Sequence, residues 1–321
     1  MSRLNKRKSP DGPAKLGPFP ARAVLAQAAT ALLLGAVVLA LAFGTPALQA
    51  RVSRTLAAGA PRVEFDWPMI PGDGPDQPAR TWLSPDMQAG LVHLAQQTLA
   101  ADPDALSTTA LSRVGRALLD TGWFATIETV CREPGNGVRV RGTWRTPAAV
   151  VRHGGLDHLV ARGGELLPPT YLPGQSGQRV ILGASTPPPM RDGKPVCGEV
   201  WGASRTGGHK GMSDVQAGVE LVDLIGTRPW RAQVAAVDVS AYARQRRLDI
   251  VTTSNGRVIW GGAPGEKVYG ETSLETKLWR LMEINRRTGT IDAGRPSMDI
   301  SGTIAMMDDT PLAPPPAPGR P

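Results

Sequence analysis

The sequence predicts an α+β protein with an N-terminal transmembrane helix, a domain of order β-α-α-β-β, and a mixed β domain with flanking helices. Three observations lead to this fold class. Residues 23–43 form one long uncharged apolar run. Residues 62–144 contain two amphipathic helical patterns, with segments on either side in which apolar and polar residues alternate. Beyond residue 144 the same alternation recurs in short segments. The 37 glycines and 30 prolines also favour short strands and turns over a helical bundle.

The apolar run begins at Ala23, ends at Phe43 and has Leu34 near its centre, and it predicts a transmembrane helix over residues 23–44. Its uncharged length matches the ~20 residues that cross a hydrocarbon core as a helix. More bases precede the run than follow it, so the positive-inside rule places residues 1–22 in the cytoplasm as a basic tail. We therefore expect a single-pass protein of the cytoplasmic (inner) membrane with an extracytoplasmic C-terminal part. A cleaved signal peptide and a buried core helix are the alternatives.

Residues 45–60 are predicted to be a linker, and residues 61–146 are predicted to form the first domain. Its first strand is expected over 62–67, and its proline-rich segment 68–78 is expected to be a loop. Two helices follow, the first opened by a serine N-cap and the second marked by one apolar face, and then two alternating strands joined by a hairpin turn. The helices are expected at 84–100 and 107–121, and the strands at 123–131 and 138–144.

Residues 147–307 are predicted to form the β domain, in which short alternating segments are separated by glycine and proline. The expected strands are 149–152, 179–182, 230–238, 248–252 and 257–260. Helical periodicity over 212–225 and 271–285 predicts two helices among them. Residues 308–321 (DDTPLAPPPAPGRP) are predicted to be a disordered tail because proline dominates them.

No group of residues has the spacing of a catalytic or metal site. The histidines lack the spacing of a metal pair, and the glycine-rich segments lack the pattern of a phosphate loop. The net charge of +8 is scattered rather than gathered on one face, which argues against nucleic acid. We expect no enzymatic activity, no cofactor, no metal and no small-molecule substrate. Cys131 and Cys197 are either a disulfide pair or two independent thiols.

Several short motifs, taken in order, resemble the FtsQ/DivIB family of bacterial cell-division proteins. The resemblance covers nearly the whole chain, and each motif in it is short and degenerate. Its departures include Thr146 after Arg145 and Ser301 where the family often has arginine. The matching segments are RTPA at 145–148, GLD at 155–157, GGEL at 163–166, YLPG at 171–174, LDI at 248–250, GRV at 256–258, KL at 277–278 and MDI at 298–300.

The resemblance implies that residues 61–146 are a POTRA-like domain and that the chain is a non-catalytic scaffold of the division septum. Its implied partners are FtsB/FtsL-like coiled-coil division proteins, other divisome members and the lipid bilayer. A membrane-tethered extracytoplasmic enzyme and a POTRA-containing transport or secretion subunit are the alternatives.

The resemblance also implies that the last strand of the β domain binds a partner strand by β-augmentation. The weak alternation of SMDISGTI at 297–304 predicts that strand, with a free outer edge. In the alternative interpretation, this segment only closes the sheet and is covered by the helix at 271–285. The candidate contact residues are Ser297, Met298, Asp299, Ile300, Ser301, Thr303 and Ile304.

Overall fold

The computed structural model describes residues 32–39, 61–70, 80–102, 107–134, 136–202, 211–304, 306–307 and 310–311. The chain divides into two compact units, Met1–Gly59 and Ala60–Pro321. In the first unit the described residues, 32–39, form a helical segment that we name α1. All other described elements belong to the second unit.

The predicted transmembrane helix is corrected by this structure. Within the part of the chain that the structure describes, no helix is long and apolar enough to cross a membrane. Leu34 lies in α1, and Ala23 and Phe43 lie outside the described residues. The fold class with a transmembrane helix at 23–44 and the single-pass inner-membrane location are therefore not supported.

The second unit begins with a three-stranded sheet and two helices. Strands β1 (Arg62–Phe65), β5 (Gly137–Trp144) and β4 (Phe124–Glu133) lie in the order β1-β5-β4, with β1 parallel and β4 antiparallel to β5. Helices α2 (Pro85–Ala100) and α3 (Thr108–Asp120) begin after Ser84 and Ser107, whose side chains accept backbone N–H groups of the first turn. Their apolar faces bury a core that includes Leu91, Val114 and Leu118.

The segment predicted to be a proline-rich loop contains strand residues. Strand β2 (Met69–Ile70) pairs antiparallel with β3 (Arg80–Thr81), and the residues between them are not described. A proline blocks only its own backbone donor, so an edge pair of two residues can form beside it. The prediction of a loop over the whole of 68–78 was therefore wrong at Met69 and Ile70.

The second half of this unit is built on one large sheet in the order β17-β16-β15-β14-β13-β12-β9-β6-β7-β8. A separate small hairpin pairs β10 (Met190–Arg191) with β11 (Lys194–Pro195). The strands of the large sheet are β6 (Pro147–His153), β7 (Leu156–Ala161), β8 (Leu166–Tyr171), β9 (Val180–Leu182), β12 (Val234–Asp238), β13 (Leu248–Thr252), β14 (Arg257–Gly261), β15 (Ser297–Asp299), β16 (Met306–Met307) and β17 (Thr310–Pro311).

Helix α4 (Asp214–Gly226) covers one face of this sheet, lying against β6, β9 and β12. A capping box between Ser213 and Gln216 starts the helix. Gly218 allows close approach, because a Cβ there would lie 2.8 Å from a Val239 methyl group. The sheet is buried on both faces at β6: Ala149 and Val151 belong to the core under α4, whereas Val150 belongs to the core of α2 and α3.

The long hairpin β13–β14 is closed by a buried carboxylate. Asp292, which is 1% exposed, accepts hydrogen bonds from Thr252 Oγ1 (2.6 Å), Gly294 N (2.9 Å) and the Ser254 hydroxyl. Burial acts to raise the pKa of Asp292, but hydrogen bonds from Ser254, Thr252 and Gly294 outweigh it and lower the pKa from 3.8 to about 2. The ionised carboxylate therefore stabilises the folded state.

We expect Asp292→Asn to cost about 2 kcal/mol near neutral pH, because the carboxyl pKa is lower in the folded than in the unfolded chain. As the pH falls from about 4 to about 2, the unfolded chain binds this proton first, and the stabilisation is lost. Urea unfolding midpoints of wild type and variant should converge over that range. A difference between the two that stays constant from pH 6 to pH 2 would contradict this account.

Candidate partner-binding edge

Strand β15, the predicted partner strand, lies beside β14 in the large sheet. The two strands run parallel, with Val258 opposite Met298 and Ile259 opposite Asp299. The backbone N–H of Ile300 donates to Ile259 O (3.1 Å), which extends the pairing by one residue. One edge of β15 is therefore held by backbone hydrogen bonds to the body of the sheet.

The candidate contact residues are divided between the core and the surface. Met298 and Ile300 are 2% and 0% exposed and pack in the main core, so they hold the strand in place. Ser297, Thr303 and Ile304 are exposed, and Asp299 and Ser301 are half-buried. The exposed and half-buried residues are the ones of this set that a partner can reach directly.

The outer edge of β15 is occupied by the chain itself. After a turn at 300–304 the chain returns as β16, antiparallel to β15, with Met307 opposite Met298 and Met306 opposite Asp299. Strand β17 adds beyond β16 and ends at Pro311, which has no backbone N–H to offer a further strand. The prediction that residues 297–304 form the last strand with a free outer edge was therefore wrong.

The turn after β15 is fixed by one buried arginine of helix α6 (Leu274–Thr288). The guanidinium of Arg280, which is 5% exposed, donates to the carbonyl oxygens of Ile300 (2.9 Å), Gly302 (2.6 Å) and Thr303 (2.6 Å). Burial lowers the pKa of this guanidinium, and the Asp299 charge opposes the shift. Arg280 thus satisfies three carbonyls of the segment that follows β15.

Glu271 connects the start of α6 to the same turn. Its carboxylate accepts from Lys277 Nζ (2.6 Å) and from Gly262 N (2.8 and 3.1 Å). Its backbone forms a bridge with Gly302. Lys277 is buried and lies 5.2 Å from the centre of the Trp260 ring, where a cation is attracted to the ring face. These contacts make the loop before α6 and the turn after β15 one connected structure.

A cavity of about 470 Å³ lies beside this structure, between the loop 263–268 and the start of α6. Glu271 and Lys277 line the cavity, and their opposite charges neutralise each other in an ion pair. Trp260 also lines it. The indole N–H of Trp260 has no acceptor among the residues that the structure describes. That nitrogen is buried from solvent, so the cavity offers an occupant no free donor at this point.

The histidines and cysteines are not brought together into a reactive site. His153 and His158 both contact the Trp201 ring edge-on, and burial lowers the pKa of His158. Cys131 and Cys197 are free thiols, and burial raises the pKa of Cys197. Across the described ranges of the chain, no cluster of histidine, cysteine and acidic residues has the geometry of a metal site.

Sequence reasoning missed Arg280, Lys277 and Glu271 as determinants of this edge. A signal was present: Lys277 falls on the same helical stripe as the apolar residues Leu274 and Leu281. A basic residue on a buried face requires acceptors that are also buried. That requirement could have directed attention to α6 before the structure was known.

No protein-family model matches the chain, and no curated protein is significantly similar to it.

Proposed function

We propose that the chain is a non-catalytic scaffold protein of the FtsQ/DivIB type that binds an extended segment of a partner along the edge of β15. The observation that carries this proposal is that the edge already accepts a strand in antiparallel register, the chain's own β16. Backbone hydrogen bonds supply affinity in such strand addition, and side-chain pockets supply specificity. The proposed partner is an FtsB-like member of an FtsB/FtsL-like coiled-coil pair, which acts with other division proteins.

The surroundings of the edge support this function. Arg280 and Glu271 hold the turn after β15, so the edge is fixed before any partner arrives. Fixing a binding surface in advance lowers the entropy cost of association. The cavity beside Trp260 lies next to the residues that pair with the turn, where a partner side chain can enter.

Strand β16 and a partner strand would compete for the same backbone groups. Among the described residues, two pairs join β16 to β15 and three pairs join β15 to β14. Strand β16 lies on the side of β15 that faces away from β14, so it is the pairing that a partner can replace. The partner can bind only those molecules in which β16 has left the edge. The apparent affinity is therefore the intrinsic affinity multiplied by the fraction of such molecules.

A reversible lock of β16 tests the proposal. Asp299→Cys and Met306→Cys place two thiols at positions that face each other in register. Under oxidising conditions the disulfide should hold β16 on the edge and weaken binding of the purified FtsB-like protein at least tenfold, as measured by calorimetry. Reduction should restore binding. The single Met306→Cys variant is the control, because its binding should not respond to reduction.

Two results would contradict the proposal. One is a double variant, with the disulfide confirmed by mass spectrometry, that binds the partner as tightly as its reduced form. The other is a wild-type chain that does not bind the FtsB-like protein at any concentration that calorimetry can reach.

A further inference from the structure

Three arginines lie where helix α4 ends, beside the first residues of strands β9 and β12. Arg179 immediately precedes β9, and Arg228 lies two residues after the end of α4. Arg231 opens the short 3-10 helix Arg231–Gln233, which leads directly into β12. Because β9 and β12 are parallel neighbours, their first residues lie at the same end of the sheet. We name Arg179, Arg228 and Arg231 the arginine cluster.

Backbone and side-chain contacts hold the arginine cluster together at the end of α4. The backbone N–H of Arg228 donates to Ile225 O (2.9 Å), and that of Arg231 donates to Arg228 O (3.1 Å). An Nη atom of Arg179 lies 3.8 Å from the position that a Cβ on Gly226 would take. The guanidinium of Arg179 therefore reaches the C-terminal end of α4, two residues before Arg228.

The arginine cluster has no counter-charge in the part of the chain that the structure describes. The Nε atoms of Arg179 and Arg228 are buried, and no described residue offers them an acceptor. Asp223, the last acid of α4, pairs with Arg162 instead (3.5 Å). A buried donor without an acceptor costs free energy, and so does a charge without a partner. The cluster is therefore unfavourable for the folded chain unless something else binds there.

The three positive charges exceed what the end of α4 can balance. Burial and the neighbouring charge of Arg231 both lower the pKa of the Arg179 guanidinium. A helix C-terminus attracts cations, but its dipole is equivalent to only about half a negative charge. In the simpler interpretation, the three side chains only cap α4. That role accounts for one arginine and leaves the repulsion among three without a purpose.

A phosphate group has the chemistry that the arginine cluster lacks. It carries a charge of about −1.5 to −2 at pH 7 and has three strong acceptor oxygens. Guanidiniums donate to such oxygens in planar forks, and arginine is the side chain most suited to this geometry. A carboxylate brings one charge and two oxygens, which a single arginine can satisfy. Three arginines therefore favour phosphate over a carboxylate.

We propose that the arginine cluster binds a phosphate group, which is either free in solution or part of a lipid headgroup. The bound phosphate supplies acceptors to Arg179 and Arg228 and removes the repulsion between Arg179 and Arg231. The site lies beside β12, three strand positions from β15 in the sheet. Phosphate binding therefore does not require β15 or its partner.

The first test is titration calorimetry of the full chain with inorganic phosphate, with chloride keeping the ionic strength constant. Wild type should bind phosphate, and Arg231→Gln should bind it roughly tenfold more weakly because one charged donor is lost. Arg231 is exposed, so this variant should still fold. Arg244→Gln removes an exposed arginine outside the cluster and should leave binding unchanged. Equal phosphate affinity of the two variants would overturn the proposal.

Thermal unfolding separates phosphate binding from a capping role. Without phosphate, Arg231→Gln should be at least as stable as wild type, because the charge that repels Arg179 is gone. With phosphate, wild type should gain more stability than the variant, since only its site is complete. Phosphate also stabilises folded proteins by exclusion from their surface, but that effect is the same in both proteins. An equal gain in the two proteins would overturn the proposal.

Co-sedimentation with vesicles identifies the source of the phosphate. Vesicles of phosphatidylcholine alone are compared with vesicles that also contain phosphatidic acid, which exposes a phosphate monoester. The basic residues of 1–22 are present in every variant, so only differences between variants count. Weaker capture of Arg231→Gln than of Arg244→Gln by the second vesicles assigns the site to a lipid headgroup, and equal capture assigns it to free phosphate. No readout involves the FtsB-like protein, so failure here is separate from failure of the function proposed above.

Discussion

Arg280→Met should lower the free energy of unfolding by about 4 kcal/mol, the largest effect that we expect from a single side chain. The change removes the guanidinium that donates to the carbonyls of Ile300, Gly302 and Thr303. A buried carbonyl without a donor costs about 1–3 kcal/mol, and part of this cost is recovered where water can enter. Methionine fills much of the same volume, so the decrease in the free energy of unfolding measures lost hydrogen bonds rather than lost packing. Equilibrium unfolding in urea measures the effect.

Two controls make the Arg280 result specific. Arg286→Met alters an exposed arginine of the same helix that pairs with Glu283, and should cost less than about 0.5 kcal/mol. Arg280→Lys keeps the charge but not the planar fork, so it should recover only part of the loss. Hydrogen exchange should be faster at residues 300–303 in Arg280→Met than in Arg286→Met. Equal unfolding free energies for the two methionine variants would exclude the role assigned to Arg280.

Gly122→Ala should cost about 3–4 kcal/mol, because two separate penalties fall on one position. Gly122 has a φ of +83°, where a residue with a Cβ loses ~1–2 kcal/mol. A Cβ there would also lie 2.9 Å from the backbone carbonyl carbon of Cys197 and from Gly198 N, and closer still to the Cys197 Cβ. Backbone atoms cannot move aside cheaply, and forcing extra atoms into a packed site costs ~1–3 kcal/mol.

Gly174→Ala separates the two penalties. Gly174 has nearly the same φ, +82°, but a Cβ there would meet nothing within 4 Å. We expect this variant to lose about 1 kcal/mol, the conformational part alone. Urea unfolding of both variants gives the difference, which is the cost of the contact between Gly122 and Cys197. A larger loss at Gly174 than at Gly122 would show that this contact is not tight in solution.

Much of the helical structure followed from local signals in the sequence. The N-cap at Ser84 and apolar periodicity placed α2 and α3 to within a residue at each end. The hairpin between β4 and β5 also formed where glycine and asparagine predict a turn. Capping and turn formation depend on neighbours along the chain, so a single sequence contains most of the information.

The candidate site was harder to predict because it depends on distant pairings. The sequence indicated a strand near Met298 but not that residues 306–307 would return to cover it, since two paired residues have no periodicity to detect. The role of Arg280 depends on carbonyls twenty residues further along the chain. The transmembrane prediction rested on apolar composition alone, and among the residues that the structure describes no helix is long and apolar enough to cross a membrane.

Strand β9 has a consequence for the speed of folding. It is three residues long, yet among the described strands it alone joins the β6-β7-β8 group to the β12-β13-β14 group, and it runs parallel to both neighbours. Each group can close early through short antiparallel hairpins. Val180, however, pairs with Val150 and Ala236 only after long loops have closed. The chain entropy lost in closing these loops is not compensated until the contacts of β9 have formed. The time needed to form one continuous sheet is therefore set by the strand that joins its two hairpin groups.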